Sequence, residues 1–82
     1  MNISEQLIVR SLENKTMIIN LNNGKVTVID EIGTIFWDAL CNSITQEELF
    51  QKMQAQFDVS FETLKKDYDK FVEKSRVEEI IW

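Results

Sequence analysis

The fourteen aspartates and glutamates are the residues best equipped for chemistry in this chain. Two carboxylates facing each other across a pocket could act as general acid and base, as in glycoside hydrolysis. Nothing in their spacing places two of them in one pocket, so they read as a solvated surface. Histidine is absent and Cys41 is the sole cysteine. That removes histidine bases, Cys–His nucleophilic pairs, zinc sites and disulfides within the chain. Cys41 itself reads as a small filler at a helix end. The basic side chains Lys65, Lys66, Lys70 and Lys74, with Arg76 just after, offer a second chemistry. Lys66, Lys70 and Lys74 share one ridge, as a DNA-reading helix would require. Glu62, Asp67, Asp69 and Glu73 are interleaved with them, so residues 60–76 hold five basic and four acidic side chains, a net of +1. The whole chain carries −5, which opposes phosphate contacts. A solvated face with a Glu62–Lys66 pair at i,i+4 is the better reading. With no catalytic constellation and no cofactor site, the chain reads as a recognition module rather than an enzyme.

Length and composition agree. Eighty-two residues imply one domain over 1–82. Such a domain buries only about 60–65% of its unfolded surface, too little for both a full core and a large cleft. Hydrophobic content of 44% and charged content of 28% are globular rather than disordered. No apolar run approaches the ~18 residues of a membrane span. The start, Met1-Asn2-Ile3-Ser4-Glu5-Gln6, has neither the basic nor the apolar region of a signal peptide, so a cytoplasmic location is the default.

The elements that must position a recognition surface follow from local pattern. Leu7–Leu12 reads as a strand, Glu13-Asn14-Lys15 as a polar break and Thr16–Leu21 as a second strand with Met17, Ile19 and Leu21 on one face. Asn22-Asn23-Gly24-Lys25 predicts a type I′ hairpin turn into a third strand, Lys25–Ile29. Asp30 predicts the cap of a first helix running to about Leu40, with Ile32, Ile35, Phe36, Ala39 and Leu40 on one face and Trp37 at the core edge. Gly33 in its first turn costs about 1 kcal/mol relative to alanine, which predicts close approach of helix and sheet. Thr45 and Glu48 form a capping box, with Ile44 and Leu49 as its staple. That helix should reach Phe57 and bury Leu49, Phe50, Met53 and Phe57. Ser60 caps a third helix whose apolar positions are Phe61, Leu64, Tyr68, Phe71, Val72 and Ser75. The tail Val77–Trp82 is apolar enough to pack back as an extended segment.

The expected fold class is therefore α+β. A three-stranded antiparallel sheet precedes three helices, and the hairpin beside two short helices resembles a winged helix-turn-helix. Such a sheet has two edges, and an open edge invites a partner strand. The third strand is short, β-branched and free of proline, and only Lys25 blunts it. It is the candidate site for an added peptide strand. Tyr68 and Phe71 on the third helix are the aromatics placed to flank such a peptide. The opposing expectation is that the tail or a second copy covers this edge.

The run Val28-Ile29-Asp30-Glu31-Ile32-Gly33, followed by Ile35-Phe36-Trp37-Asp38-Ala39-Leu40, resembles the L-N-E-x-G-x-x-I-W-x-L-L run of PqqD-like proteins. Thr45-x-x-Glu48-Leu49, Phe57-Asp58-Val59 and Asp67-x-x-x-Phe71-Val72 continue the resemblance in order and spacing. Asp30 replaces the usual asparagine, Ser75 a usual leucine, and Glu79 the glycine that usually ends the third helix. The resemblance implies a recognition element for the leader segment of a ribosomally made precursor peptide. The leader would dock as an extra strand. Lys25, Val26, Thr27, Val28 and Ile29 would supply the strand edge, and Leu64, Asp67, Tyr68, Phe71 and Lys74 the helix wall. Among such elements the chain looks most like the leader-binding protein of lasso-peptide pathways. The implied partners there are the precursor leader, a leader peptidase of the cysteine protease type and a ring-forming cyclase, with no nucleic acid and no membrane. The PqqD peptide chaperone of PQQ biosynthesis is the sibling reading.

Overall fold

The computed structural model describes residues 1–82. Strands β1 (Leu7–Leu12), β2 (Lys15–Asn20) and β3 (Val26–Ile29) precede helices α1 (Glu31–Cys41), α2 (Gln46–Gln56) and α3 (Phe61–Val77). The sheet is antiparallel in the order β1-β2-β3, so β3 is an edge. This is the expected α+β architecture.

Two turns set the sheet. Glu13, at φ 58, lets β1 fold directly onto β2. The β2–β3 turn differs from the type I′ expectation, since only Gly24 has positive φ (74) and a type I′ turn needs two such residues. The loop is longer instead. Gly24 N–H donates to Asn20 O at 2.8 Å, and the side chains of Asn20 and Asn23 accept from the N–H groups of Asn22 and Lys25 at 2.9 and 3.0 Å. Lys25 consequently falls in the turn rather than in β3.

The buried face of β2 is also the opposite of the one expected. Thr16, Ile18 and Asn20 point inward, while Met17 and Ile19 are half-buried and Leu21 is exposed. Apolarity alone chose the wrong face because the inner face keeps two polar groups that tertiary partners satisfy. Thr16 Oγ1 shares a hydrogen bond with Thr34 Oγ1 at 2.9 Å. Asn20 Nδ2 donates to the carbonyls of Glu78 and Glu79 at 3.1 and 3.2 Å.

The helix starts follow the local signals. Asp30 accepts from Gly33 N–H at 2.8 Å, Thr45 from Glu48 N–H at 3.2 Å and Ser60 from Thr63 N–H at 3.1 Å. The capping box at Thr45 is half-formed, since no bond returns from Thr45 N–H to the Glu48 side chain. On α1 the buried set is Gly33, Phe36, Trp37 and Ala39. Trp37 lies in the core rather than at its edge, because α1 is packed against both the sheet and α3. On α2, Leu49, Phe50 and Met53 are buried as expected, but Phe57 is exposed. There the chain leaves helical conformation at the C-cap, which turns the ring from the buried stripe. On α3, Leu64, Tyr68, Val72 and Ser75 are buried, Phe71 is half-buried and Phe61 is exposed. Phe36, Phe50 and Tyr68 tie the helices together, with ring centroids 5.3 and 5.6 Å apart at near-perpendicular angles.

The tail packs back, with Ile80 and Ile81 buried, but it is not extended throughout as expected: Val77 ends α3, Glu78 and Glu79 turn the chain, and Ile81 forms an antiparallel bridge with Ile3. Its main chain pairs with the N-terminal residues. Asn2 and Trp82 exchange two hydrogen bonds, and Ser4 N–H donates to Ile80 O at 2.8 Å. Glu79 has φ 61, the left-handed conformation that glycine adopts most easily, where the family pattern carries glycine.

Candidate functional site

The outer edge of β3 can be read from its hydrogen bonding. Asn20 N–H donates to Lys25 O at 2.9 Å, which makes Asn20–Lys25 a hydrogen-bonded pair. Pairs alternate along an antiparallel ladder. With Ile18 opposite Thr27 and Thr16 opposite Ile29, the main chains of Thr27 and Ile29 face β2. Those of Val26 and Val28 therefore face outward. Each presents one N–H and one C=O, and the tail does not use them.

Side chains alternate the other way. Thr27 and Ile29 point toward the helices, and Val26 and Val28 point to the outer sheet face, both exposed. The alternation that composition could not resolve, with Val26, Val28 and Ile29 all apolar, is thus fixed by the packing of Ile29.

Between β3 and α3 lies a groove of about 450 Å³. Thr27, Val28 and Ile29 form one wall, Asp67, Lys70, Phe71, Lys74 and Glu78 the other, and Asp30, Ile32 and Gly33 close one end. Its position depends on Gly33. A Cβ there would collide with Ile29 Cγ2, come within 3.2 Å of Asp30 Oδ1 and lie 3.7 Å from Phe71. The missing side chain lets α1 lie close to β3, so Ile29 and Phe71 both border Gly33 in the groove. At the other end Thr27 Oγ1 donates to the Glu78 carboxylate at 2.5 Å.

The expected site residues divide. Thr27, Val28, Ile29, Asp67, Phe71 and Lys74 come together around the groove. Lys25 and Val26 lie beyond its lining, although the Val26 main chain belongs to the open edge. Leu64 and Tyr68 lie beneath it in the core, where Tyr68 packs on Phe36 and Phe50. Burial pushes the Tyr68 phenol above its usual pKa of 10.0, Lys65 opposes the shift and Asp69 adds to it. Among the groove residues not foreseen, Lys70 was signalled by its one-turn offset from Lys74. Glu78 had no local signal, because it reaches the groove only where α3 ends beside β3.

Chemically the arrangement offers hydrogen bonds and side-chain contacts. No three His, Cys, Asp or Glu side chains converge as metal ligands, and no helix is long and apolar enough to cross a membrane. The thiol of Cys41, exposed at the end of α1, has its pKa raised by partial burial and by Asp38. The Lys66–Lys70–Lys74 ridge carries no ion pair. The pair that forms on α3 is Lys65–Asp69 at 3.0 Å, not Glu62–Lys66.

Residues 15–81 match the family described as coenzyme PQQ synthesis protein D (PqqD). No curated protein sequence gives a match. A solved structure, described as TbiB1 in complex with the TbiA(beta) leader peptide, superposes with a TM-score of 0.90 at 21% identity, covering 99% of this chain and 94% of that one. At that identity the likeness shows a shared fold.

Proposed function

The chain belongs to the PqqD family, and we propose that it is a recognition element for the leader segment of a ribosomally made precursor peptide. One observation carries the reading: the outward N–H and C=O groups of Val26 and Val28 flank a groove walled by α3. A leader adds there as a fourth strand. Main-chain bonds supply affinity, and side chains entering between Ile29 and Phe71 supply selectivity. The shared fold with TbiB1, solved with a leader peptide, supports this use of the groove.

In this reading the domain spans 1–82, acts in the cytoplasm and is an adaptor rather than a catalyst. It presents the leader to a cysteine-type leader peptidase and to a ring-forming cyclase in lasso-peptide biosynthesis. A PQQ-precursor leader is the alternative cargo.

Fluorescence anisotropy with labelled leaders of both kinds tests the reading. Saturable binding to one of them, at micromolar to nanomolar Kd (about −8 to −12 kcal/mol), is expected. Phe71→Ala should weaken it in a folded protein. Val28→Pro should also weaken it, because it removes an outward N–H that no sheet partner uses. Unchanged affinity in both folded variants refutes the groove, and absence of binding to any leader refutes the function.

A further inference from the structure

The open face of the sheet is its more apolar one. Alternation turns Thr16, Ile18 and Asn20 toward the helices and Met17 and Ile19 the other way. Register fixes the neighbours on that outer face. Ile8, Ile19 and Val26 stand side by side across the three strands, and Arg10, Met17 and Val28 form the next row. Leu12 and Leu21 lie at the two ends of the patch, and both are exposed, as are Val26 and Val28. An antiparallel sheet with one open face ordinarily places polar residues there. Here the polar residues Thr16, Asn20 and Thr27 are on the side of the helices instead.

Nothing within the chain covers this face. α1 packs on β2 and β3 from the other side, and a peptide strand added at the β3 edge extends the sheet in its own plane. Strands lie about 4.8 Å apart and residues rise about 3.4 Å, so the patch measures roughly 15 by 20 Å, or about 300 Å². An exposed apolar patch of that scale marks an interaction site, and its area suits a transient contact rather than a permanent one. Charge decides the occupant. The face carries Arg10 and Lys15, both toward the β1–β2 turn, and its strand positions hold no carboxylate. Glu13, in that turn, makes an ion pair with neither. A second copy laid on this face would bring no acid to the two cations, and each copy carries −5, so copies repel. The dimensions fit one helix: a diameter of about 10–12 Å spans the three strands, and about thirteen residues cover 20 Å.

We propose that the outer face of the sheet docks an amphipathic helix of a partner protein, with its apolar stripe along β2 and Asp or Glu over Arg10 and Lys15. Met17 and Ile19 seat the stripe, and the two cations set which end of the helix lies toward the β1–β2 turn. The site is separate from the groove between β3 and α3 and does not depend on what the groove binds. It also accounts for the pattern of β2. The stripe of Met17, Ile19 and Leu21, which alternation assigns to a core, is buried in the complex rather than in the chain alone.

The test is a display library built on one helical scaffold of about thirteen residues, with the apolar stripe fixed and the other positions random. It is selected on the intact protein and counter-selected on Ile19→Lys, with Met17→Lys in its place should circular dichroism show that Ile19→Lys does not fold. The selected helices should carry Asp or Glu at one end and shift the amide signals of Met17 and Ile19 while leaving that of Phe71 unmoved. Replacing their acids by amides should weaken binding about two- to fivefold, the effect of an exposed ion pair. A protein carrying both Arg10→Glu and Lys15→Glu should select Lys or Arg at that end instead. Helices without the acidic preference, or with one that the double variant retains, overturn the proposal. Failure to select any helix that distinguishes the wild type from the counter-selected variant overturns it too. So does a dimer in sedimentation equilibrium that the same variant dissociates, because a second copy then covers the face.

Discussion

Replacing Gly33 by alanine tests the close crossing on which the groove depends. At an exposed mid-helix site the change would stabilise the protein by about 1 kcal/mol through helix propensity. Here the new methyl would collide with Ile29 Cγ2 and crowd Asp30 Oδ1 at 3.2 Å. Ile29 is the end of an edge strand and is buried in the core, so its short branched side chain has little room to turn away. Overpacking a well-packed site costs about 1–3 kcal/mol. Displacing Asp30 also weakens its 2.8 Å bond to Gly33 N–H, and an N-cap contributes about 1 kcal/mol. The net expectation is a loss of about 1–2 kcal/mol. Each kcal/mol corresponds to roughly 4–8 °C in Tm for a domain of this size. Urea titration followed by tryptophan fluorescence, to which the buried Trp37 contributes beside the exposed Trp82, and by far-UV circular dichroism measures it. In an Ile29→Ala background the collision is removed, and the same substitution should become neutral or stabilising. A Gly33→Ala protein that is more stable than wild type with Ile29 intact would refute the reasoning.

Three further outcomes follow from particular contacts. Asn20→Ala removes the two bonds to the Glu78 and Glu79 carbonyls and the 2.9 Å bond from Asn22 N–H. It should cost about 2–3 kcal/mol and speed hydrogen exchange at Ile80, and a loss under about 0.5 kcal/mol would contradict the tie between β2 and the tail. Glu79→Gly should stabilise by about 0.5–1 kcal/mol by relieving the φ of 61, and a fall in the urea midpoint would show that the 3.3 Å Asn23–Glu79 bond outweighs that relief. Because folding raises the Tyr68 pKa, stability should be intact below the unfolded phenol value of about 10 and decline as pH rises through the higher folded value. Tyr68→Phe should flatten that alkaline decline in urea midpoints, and an unchanged slope would show that another group causes it.

The helices were legible because their signals are local. Asp30, Thr45 and Ser60 each cap the helix that their position announces, since the capped amides lie within three residues of the cap. The edge status of β3 was legible as well, because three strands joined by short links must leave two edges. Gly33 announced close packing through its cost to a helix, although not which atom it would meet.

Long-range contacts decided the rest. The inner face of β2 carries Thr16 and Asn20, whose partners Thr34, Glu78 and Glu79 are far away in sequence, so apolarity pointed to the other face. Leu64 and Tyr68 share a helical stripe with Phe71, but the packing of α3 against α1 and α2 buries the first two and leaves Phe71 at the groove. Glu78 joins the site only because the tail turns back and brings the end of α3 to Thr27. By itself the sequence determined the elements, their order and the exposed strand, since these depend on neighbours along the chain. The groove walls and the buried polar pairs depend on neighbours in space, and only the tertiary structure decided them.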